Sequence, residues 1–316
     1  MAPISDNRRD GRFEYAWHPP RKFQDRIWVH VLLLVLTLAS TTFAGYFNYL
    51  SFASGLGTGD VELSLLGSLT CGLWNSLTIL AILGCHELGH YFACRYYDVD
   101  ASLPYFLPFP SFSGTLGAFI RIREPIPSKR MLFDIGIAGP IAGFLVAVPA
   151  LFFGVAMSRI IPMPTGPGIR ELGEPLLFKV ATWTIWGRVP DGYTVNMHPV
   201  AFAAWFGLLA TALNLFPIGQ LDGGHIAYAV LGRKSSYITL AAVPFGAALI
   251  MLSWSWVVWL GAIAVMLLMF GPHHPRTFDE AVPLDRARMR LALFALLMFA
   301  LCFTPAPIGP PQELLR

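Results

Sequence analysis

The sequence contains little charge. Only 13% of its 316 residues are Asp, Glu, Lys or Arg, about half the charged fraction of an ordinary soluble domain. This scarcity excludes a soluble enzyme with a charged surface. Disorder is excluded as well, because the uncharged windows 27–50 and 238–270 would be insoluble if they stayed unfolded in water. Since 55% of the residues are hydrophobic, we predict an integral multi-pass membrane protein.

The low net charge and the small number of cysteines narrow the class of protein further. The net charge of +3 is too small to indicate nucleic acid as a partner, so the lipid bilayer is the surface we expect this protein to contact. The four cysteines include no CxxC pair, which argues against a disulfide framework and against a cysteine-only zinc site. The first 26 residues lack an apolar core followed by a small-residue cleavage site, so we interpret the next apolar window as a permanent span.

Apolar windows of about 20 residues predict an all-α polytopic membrane protein with six to seven transmembrane helices. Residues 103–123, rich in Pro, Phe and Gly, suit a short membrane-associated β-hairpin or re-entrant loop better than a helix. Residues 158–199 resemble a hydrophilic loop rich in Pro and Gly. The fifth and sixth windows are separated by Ser253–Ser255 alone, so one long or re-entrant helix is the alternative there. The windows are 27–50, 63–92, 132–157, 200–221, 237–252, 254–271 and 289–305.

The basic residues predict the orientation. In a seven-span arrangement, 17 of the 22 Lys and Arg residues fall on the same side as the N-terminus. Because Lys and Arg near span ends favour the cytoplasm, we predict a cytoplasmic N-terminal segment over 1–26, and we expect the membrane to be a bacterial cell membrane. Residues 27–305 are predicted to form a single transmembrane domain with its core at about 63–235, followed by a C-terminal tail over 306–316.

The string His86-Glu87-Leu-Gly-His90 lies near the end of the second window. On a helix, His86 and His90 share one face, so both imidazoles reach a single metal ion while Glu87 reaches water bound to that ion. Three ionisable side chains within one turn are costly at the end of a membrane helix, which favours function over simple packing at the interface. The pattern therefore indicates a zinc hydrolase centre with Zn²⁺ as cofactor.

A catalytic zinc ion usually has three protein ligands. Cys94 is in register with the two histidines, but eight positions along a straight helix separate it from His86 by about 12 Å. Asp222 is the better candidate. Its neighbours include Pro217 and Gly219, which can break a helix at membrane depth where the backbone is buried or lines a wet cavity. The alternative is an ordinary helix-end turn that Asp222 caps.

The two strings HELGH at 86–90 and NLFPIGQLDGGH at 214–225 resemble the motifs of the site-2 protease family of intramembrane metalloproteases. Further likeness occurs at 114–117 and 133–144, so the resemblance extends from about 65 to 235. It is closest to the branch of the family that has neither an inserted PDZ domain nor a C-terminal CBS domain.

The resemblance implies a role for each motif residue. His86, His90 and Asp222 are expected to bind zinc, and Glu87 to act as the general base. Asn214 is expected to donate a hydrogen bond to the oxygen that becomes negative during hydrolysis, or else to bond a neighbouring helix. The resemblance also implies a transmembrane protein substrate that another protease has already shortened and whose cleavage releases a regulator.

Two functions for the 103–123 segment stay open. The segment can offer an edge strand to an unwound substrate, with Gly114 and Gly117 allowing close backbone approach, or it can seal the active site. A different class of function, a polytopic zinc transporter or metal-sensing protein, would use the same ligands. Glu87 distinguishes these classes, because transport needs no carboxylate beside the first histidine whereas hydrolysis needs a base.

Overall fold

The structure is a computed structural model, and it describes residues 22–55, 64–164, 170–270, 277–280 and 282–311. Most of the predicted N-terminal segment over 1–26 lies outside the described residues. The same is true of residues 312–316 of the predicted tail over 306–316 and of residue 271 in the sixth window.

The described residues are mostly helical. The α-helices are α1 (Ile27–Ala53), α2 (Leu65–Tyr96), α3 (Lys129–Met157), α4 (Leu176–Trp186), α5 (Pro199–Asn214), α6 (Asp222–Leu231), α7 (Ser235–Leu252), α8 (Trp256–Phe270) and α9 (Arg286–Cys302). A 3₁₀ turn at Gly232–Lys234 joins α6 to α7. The strands are β1 (Tyr105–Pro108), β2 (Thr115–Phe119), β3 (Arg159–Pro162), β4 (Arg170–Leu172), β5 (Tyr193–Asn196) and β6 (Ile308–Pro311), paired as β1 with β2, β3 with β5 and β4 with β6.

Four helical stretches are long and apolar enough to cross a membrane, as judged by length and composition. They are Ile27–Ala53, Leu66–Tyr96, Lys129–Met157 and Asp222–Leu252. The helices in three other predicted windows are shorter, with 16 residues in α5, 15 in α8 and 17 in α9, whereas a straight span takes about 20. The structure therefore supports a multi-pass membrane protein with four candidate spans and leaves the count of six to seven as a prediction.

The fourth window ends earlier than predicted. Helix α5 stops at Asn214 rather than 221. Pro217 has no N–H to donate back to Leu213, and Gly219 takes a positive φ of 53°, so both residues favour a break. The chain then starts a new helix, α6, at Asp222. The expected break in the string at 214–225 is thus present, and residues 215–221 form the irregular segment between the two helices.

Small and hydroxyl-bearing residues allow α1 and α2 to cross closely. A Cβ atom on Gly72 would lie 2.2 Å from the carbonyl oxygen of Thr42, and the hydroxyl oxygens of Thr41 and Ser76 are 2.6 Å apart. A second crossing joins α2 to α3, where a Cβ atom on Gly89 would lie 2.5 Å from a carbonyl oxygen of α3. Small residues and interhelical hydrogen bonds are the usual means by which membrane helices associate, because apolar surface alone gives no advantage over lipid.

The largest cluster of buried apolar side chains joins α2, α3, α4 and α5. It includes Ile79 of α2, Leu151 of α3 and Trp205 of α5. The indole N–H of Trp205 donates to the carbonyl oxygen of Gly173 at 2.7 Å, so its polar end is satisfied. This cluster fixes α2 relative to α5, the helices that carry the two sequence motifs.

The segment over 103–123 forms a β-hairpin, one of the two structures predicted for it. Strand β1 pairs with β2 in antiparallel register, with Tyr105 opposite Phe119 and an irregularity beside Pro108. The hairpin lies against α1, where the ring centroids of His30 and Tyr105 are 4.2 Å apart.

The described residues of the segment over 158–199, which are 158–164 and 170–199, contain more regular structure than the hydrophilic loop expected from the sequence. It contains the β3–β5 sheet, in which Ile160 pairs with Val195, and the apolar helix α4. With 11 residues, α4 is too short to stand out in a search for windows of about 20 apolar residues.

Candidate metal centre

The two sequence motifs meet at one point. On α2, the Nε2 atoms of His86 and His90 lie 3.2 Å apart. The first residue of α6 places the Oδ2 atom of Asp222 3.1 Å from Nε2 of His86 and 3.3 Å from Nε2 of His90. One ligand atom from each residue thus lies within 4.8 Å of the others, in the only such group of three found among the described residues. The structure brings together the three residues that the sequence predicts as metal ligands.

A backbone contact sets the proton position of His90. Its Nδ1 atom lies 2.7 Å from the carbonyl oxygen of Ile135 on α3. A carbonyl oxygen only accepts hydrogen bonds, so this contact assigns the proton of the neutral ring to Nδ1 and leaves the Nε2 lone pair directed at the cluster. Such a contact fixes both the tautomer and the orientation of a metal-binding imidazole.

Helix α3 forms a cradle of glycines for the two imidazoles. A Cβ atom on Gly139 would lie 2.0 Å from Nε2 of His90, and one on Gly143 would lie 3.1 Å from Cβ of His86. A Cβ atom on Gly136 would lie 3.0 Å from Cβ of His225 on α6. These positions share one helix face. Sequence reasoning noted 133–144 as a likeness but missed this role, which the spacing of three and four residues between the glycines could have indicated.

Two glycines after the break bring α6 back against the end of α5. A Cβ atom on Gly223 would lie 2.1 Å from the carbonyl oxygen of Leu215, and one on Gly224 would lie 2.3 Å from that of Gly219. This close return places Asn214, the last residue of α5, beside the metal ligands. Its Nδ2 atom lies 3.2 Å from Nε2 of His86.

A cavity of about 210 Å³ adjoins this cluster. Glu87, of which 5% is exposed, and Asn214 both line it, so a carboxylate and an amide donor face the same space. Strand β2 forms another wall. The remaining lining residues are mostly apolar: Leu83, Leu116, Gly117, Ala118, Phe206, Leu209, Ala210, Leu213, Leu221 and Trp259.

The two glycines predicted to contact substrate have different surroundings. Gly117 lines the cavity with φ of 111°, and among the described residues no heavy atom lies within 4 Å of the position that its Cβ would occupy. Gly114, with φ of 78°, packs on α1, where a Cβ atom would lie 2.5 Å from the carbonyl oxygen of Ser40. The structure therefore brings Gly117 to the site and places Gly114 at the hairpin's contact with α1.

Cys94, the alternative third ligand, lies in a different environment. Its side chain is fully buried in an apolar cluster with Val99, Ala101 and Ile135. It takes no part in the group of His86, His90 and Asp222. The axial separation along α2 explains this placement, since Cys94 lies two turns beyond His86.

The donor set fits zinc. Two imidazole nitrogens and one carboxylate oxygen are ligands typical of catalytic zinc sites, and in a tetrahedral site with bonds of about 2.0–2.1 Å the ligand atoms are about 3.3–3.4 Å apart. The corresponding separations here are 3.1, 3.2 and 3.3 Å. A Cβ atom at Gly139 would overlap the ring of His90, and one at Gly143 would pack tightly against His86, so the two glycines allow the rings to lie where these distances arise.

Comparisons with known proteins agree with this geometry. A family model described as peptidase family M50 matches residues 74–253, a range that includes both motifs. The chain is 29% identical over 252 residues to "Probable zinc metalloprotease EGY2, chloroplastic" of Oryza sativa subsp. indica, covering 76% of this chain and 44% of the relative.

Two further relatives carry similar names. The Arabidopsis thaliana protein "Probable zinc metalloprotease EGY2, chloroplastic" is 28% identical, covering 75% of this chain and 42% of the relative. "Probable zinc metalloprotease EGY1, chloroplastic" of Oryza sativa subsp. japonica is 32% identical, covering 67% of this chain and 39% of the relative. The chain thus spans less than half the length of these relatives.

Proposed function

This chain belongs to peptidase family M50, and on that premise we propose that it is an intramembrane zinc metalloprotease that hydrolyses peptide bonds within the transmembrane helices of membrane proteins. One observation carries the proposal. A buried carboxylate at Glu87 and an amide donor at Asn214 line one small cavity, and the same amide lies 3.2 Å from His86 in the metal-ligand cluster.

The roles follow from the chemistry of each group. His86, His90 and Asp222 would hold zinc, which supplies Lewis acidity that makes water a better nucleophile and polarises a carbonyl group. Glu87 is the base that accepts the proton of the attacking water and later delivers a proton to the leaving nitrogen. Its burial beside the cavity keeps bulk water from competing for this proton.

The position of Asn214 supports a role as oxyanion donor. Its amide lies within hydrogen-bonding distance of His86 and also lines the cavity. A preorganised donor of this kind stabilises charge that develops in the transition state, and removal of one such donor typically costs about 10²–10³ in rate.

Strand β2 would bind the substrate backbone. The peptide bonds of a helix are shielded by its own hydrogen bonds, so a substrate must unwind before hydrolysis. Among the described residues, β2 pairs only with β1 and therefore has one free edge. Because Gly117 has no side chain, a second extended chain can approach closely at this point.

The wider biological role belongs to the same proposal. We expect regulated intramembrane proteolysis, in which the substrate has already been shortened by another protease and its cleavage releases a regulator. The distribution of Lys and Arg supports an N-terminus on the cytoplasmic side of the membrane, and a bacterial cell membrane is part of the same proposal. The arrangement of six to seven spans, with one transmembrane domain over 27–305, rests on the apolar windows.

The decisive test is Glu87→Gln. The amide keeps the shape of the side chain but cannot accept a proton, so we expect the cleavage rate of a model transmembrane substrate to fall by about 10²–10⁴ while bound zinc, measured by elemental analysis, stays unchanged. Glu124→Gln, which alters a carboxylate paired with Lys22, is the matched control and should cleave normally. Substantial cleavage by Glu87→Gln, or zinc uptake into vesicles by the unaltered chain, would favour the transporter instead.

The orientation has its own test. Single cysteines at Pro125 and Asp191, both exposed positions, would be placed in a background that lacks the four native cysteines. An impermeant thiol reagent should label Pro125→Cys only from the cytoplasmic side and Asp191→Cys only from the opposite side. The reverse pattern would invert the proposed topology.

A further inference from the structure

A second and larger cavity, of about 740 Å³, lies near the start of α5, at the opposite end of that helix from Asn214. The ends of α1, α4 and α5 form its floor with the aromatic side chains of Phe52, Phe178 and Trp205. Its volume falls in the range of pockets that bury most of a bound ligand. We refer to it as the β5 cavity, because Tyr193, Thr194, Val195 and Asn196, which make up the whole of β5, line it.

The β5 cavity offers an unpaired strand edge. In the described part of the chain, β5 pairs only with β3, through contacts such as Ile161 opposite Thr194. The backbone N–H and C=O groups on the other edge of a two-stranded sheet are a template for an added strand. An extended polypeptide is the ligand whose own backbone groups match this edge.

The other walls suit a polypeptide near a membrane surface. Phe178 and Trp205 are almost fully buried, with 3% and 1% of their surface exposed, and they give the floor a rigid apolar character. At the rim, Glu174 and Lys179 are exposed, and no ion pair within the described residues involves either of them. A floor of aromatic rings with free charges of both signs at the rim matches the mixed side chains that border a transmembrane helix.

The tip of the hairpin lies between the β5 cavity and the 210 Å³ cavity lined by Glu87 and Asn214, which we refer to as the catalytic cavity. The ring centroid of Phe112 lies 6.0 Å from that of Phe202, which lines the β5 cavity, and 6.3 Å from that of Phe206, which lines the catalytic cavity. Asn48, another wall of the β5 cavity, donates from Nδ2 to the carbonyl oxygen of Phe112 at 3.4 Å. A chain bound along α5 against the hairpin would therefore have one part in each cavity.

The distance between the two sites sets a spacing. From Phe202 to Asn214 the helix rises by about 18 Å at 1.5 Å per residue. An extended peptide covers this distance in about five or six residues at 3.3 Å each. A substrate whose scissile bond reaches Glu87 and Asn214 would thus place residues about six positions away beside β5.

We propose that the β5 cavity is a second peptide-binding site, which holds the substrate segment flanking the scissile bond as a strand added to β5 and so determines which bond is cut. This inference rests on the proposed protease function and extends it, because it assigns the choice of cleavage position to a site outside the metal centre.

Cross-linking tests occupancy of the cavity without any need for cleavage. Glu87→Gln protein would be mixed with a model transmembrane substrate that carries a photoreactive residue, scanned through both flanks of the scissile bond. Cross-links to β5 should appear about six residues from the bond on one flank only. They should disappear in Thr194→Trp, which fills the cavity, and persist in Thr184→Trp, the same substitution on the exposed face of α4.

Kinetics separates binding from chemistry. In the otherwise unaltered protein, Thr194→Trp should raise KM about tenfold and leave kcat within about twofold, the signature of lost ground-state binding. Lys179→Glu should lower KM if the bound segment is basic at the rim and raise it if the segment is acidic. Arg130→Glu, the same change in charge at an exposed position that does not line the cavity, should have no effect. A substrate truncated before the flanking segment should be cut equally by Thr194→Trp and by the unaltered protein.

Insertions decide the assignment of cleavage position. Two or four residues inserted between the flanking segment and the scissile bond should move the cleaved bond by the same number, as read by mass spectrometry. Cleavage that stays at the original bond, together with unchanged KM in Thr194→Trp, would overturn the inference while leaving the protease function intact. If the unaltered protein cleaves no substrate while cross-links to β5 still form, the proposed protease function would be contradicted and the peptide site supported.

Discussion

Two polar clusters adjoin the beginning of α3, and they differ in how their donors and acceptors balance. In the first, Arg288 donates from Nε to Oδ1 of Asp134 at 2.9 Å, and Tyr97 donates its hydroxyl hydrogen to the same carboxylate. Opposite charges and matching hydrogen bonds complete this group. The second is the metal centre, which begins one residue later, where Ile135 accepts from His90.

The metal centre has an excess of acceptors. With the His90 proton on Nδ1, its Nε2 lone pair faces the carboxylate of Asp222 at 3.3 Å, and no ion pair among the described residues joins this carboxylate to a Lys or Arg side chain. Two acceptors that face each other in a buried site repel, and a cation bound between them removes that repulsion. The comparison teaches that a cluster with balanced charges stabilises helix packing, whereas a cluster with more acceptors than donors favours binding of a cation.

Removing one acceptor from the metal centre should have the largest effect. We expect Asp222→Ala to lose nearly all bound zinc, because two neutral imidazoles alone hold the ion weakly. Cys94→Ala, which alters a residue in a separate apolar cluster, should keep its zinc. Elemental analysis of both purified proteins measures the difference. Zinc loss in Cys94→Ala with retention in Asp222→Ala would identify a different ligand set.

Filling the glycine cradle should have an intermediate effect. The Cβ atom of Gly139→Ala would meet Nε2 of His90 at 2.0 Å, so the ring must turn away from the cluster. Displacement of a ligand in this way typically costs about 10–100-fold in metal affinity. Competition with a zinc chelator measures it. Gly84→Ala on α2 is the control, because its Cβ would have an ordinary contact of 3.5 Å with Phe106; equal loss in both variants would contradict the cradle.

Disrupting the balanced cluster should affect stability alone. Arg288→Ala leaves the carboxylate of Asp134 without its cation, and we expect the free energy of unfolding to fall by about 1–3 kcal/mol. The zinc content should not change. Arg233→Ala breaks the more exposed pair with Glu280 and should cost less than about 1 kcal/mol. Thermal unfolding in detergent, followed with zinc analysis, tests both; zinc loss in Arg288→Ala would show that the two clusters are coupled.

The sequence was most informative where a local rule applies. The helical period alone predicts that His86 and His90 share a face, and the structure places their nitrogens 3.2 Å apart. Pro217 and Gly219 predicted the break before Asp222 in the same way. Local rules were less informative about element length, so α5 was predicted to extend to 221 and α4 within 158–199 was missed.

Only the tertiary structure decided which distant groups meet. Asp222 and Cys94 were both candidate ligands by type, and the return of the chain at Gly223 selected Asp222. Likewise, Gly114 and Gly117 are three residues apart in one hairpin. The packing of the hairpin on α1 places Gly114 in contact with that helix and leaves Gly117 in the wall of the cavity. The sequence by itself determined the membrane class, the presence of the long apolar helices and the ligand types, because these depend on composition and on neighbours within one turn. Convergence at the metal centre depends on helix crossings between residues more than a hundred positions apart, and no local pattern encodes those distances.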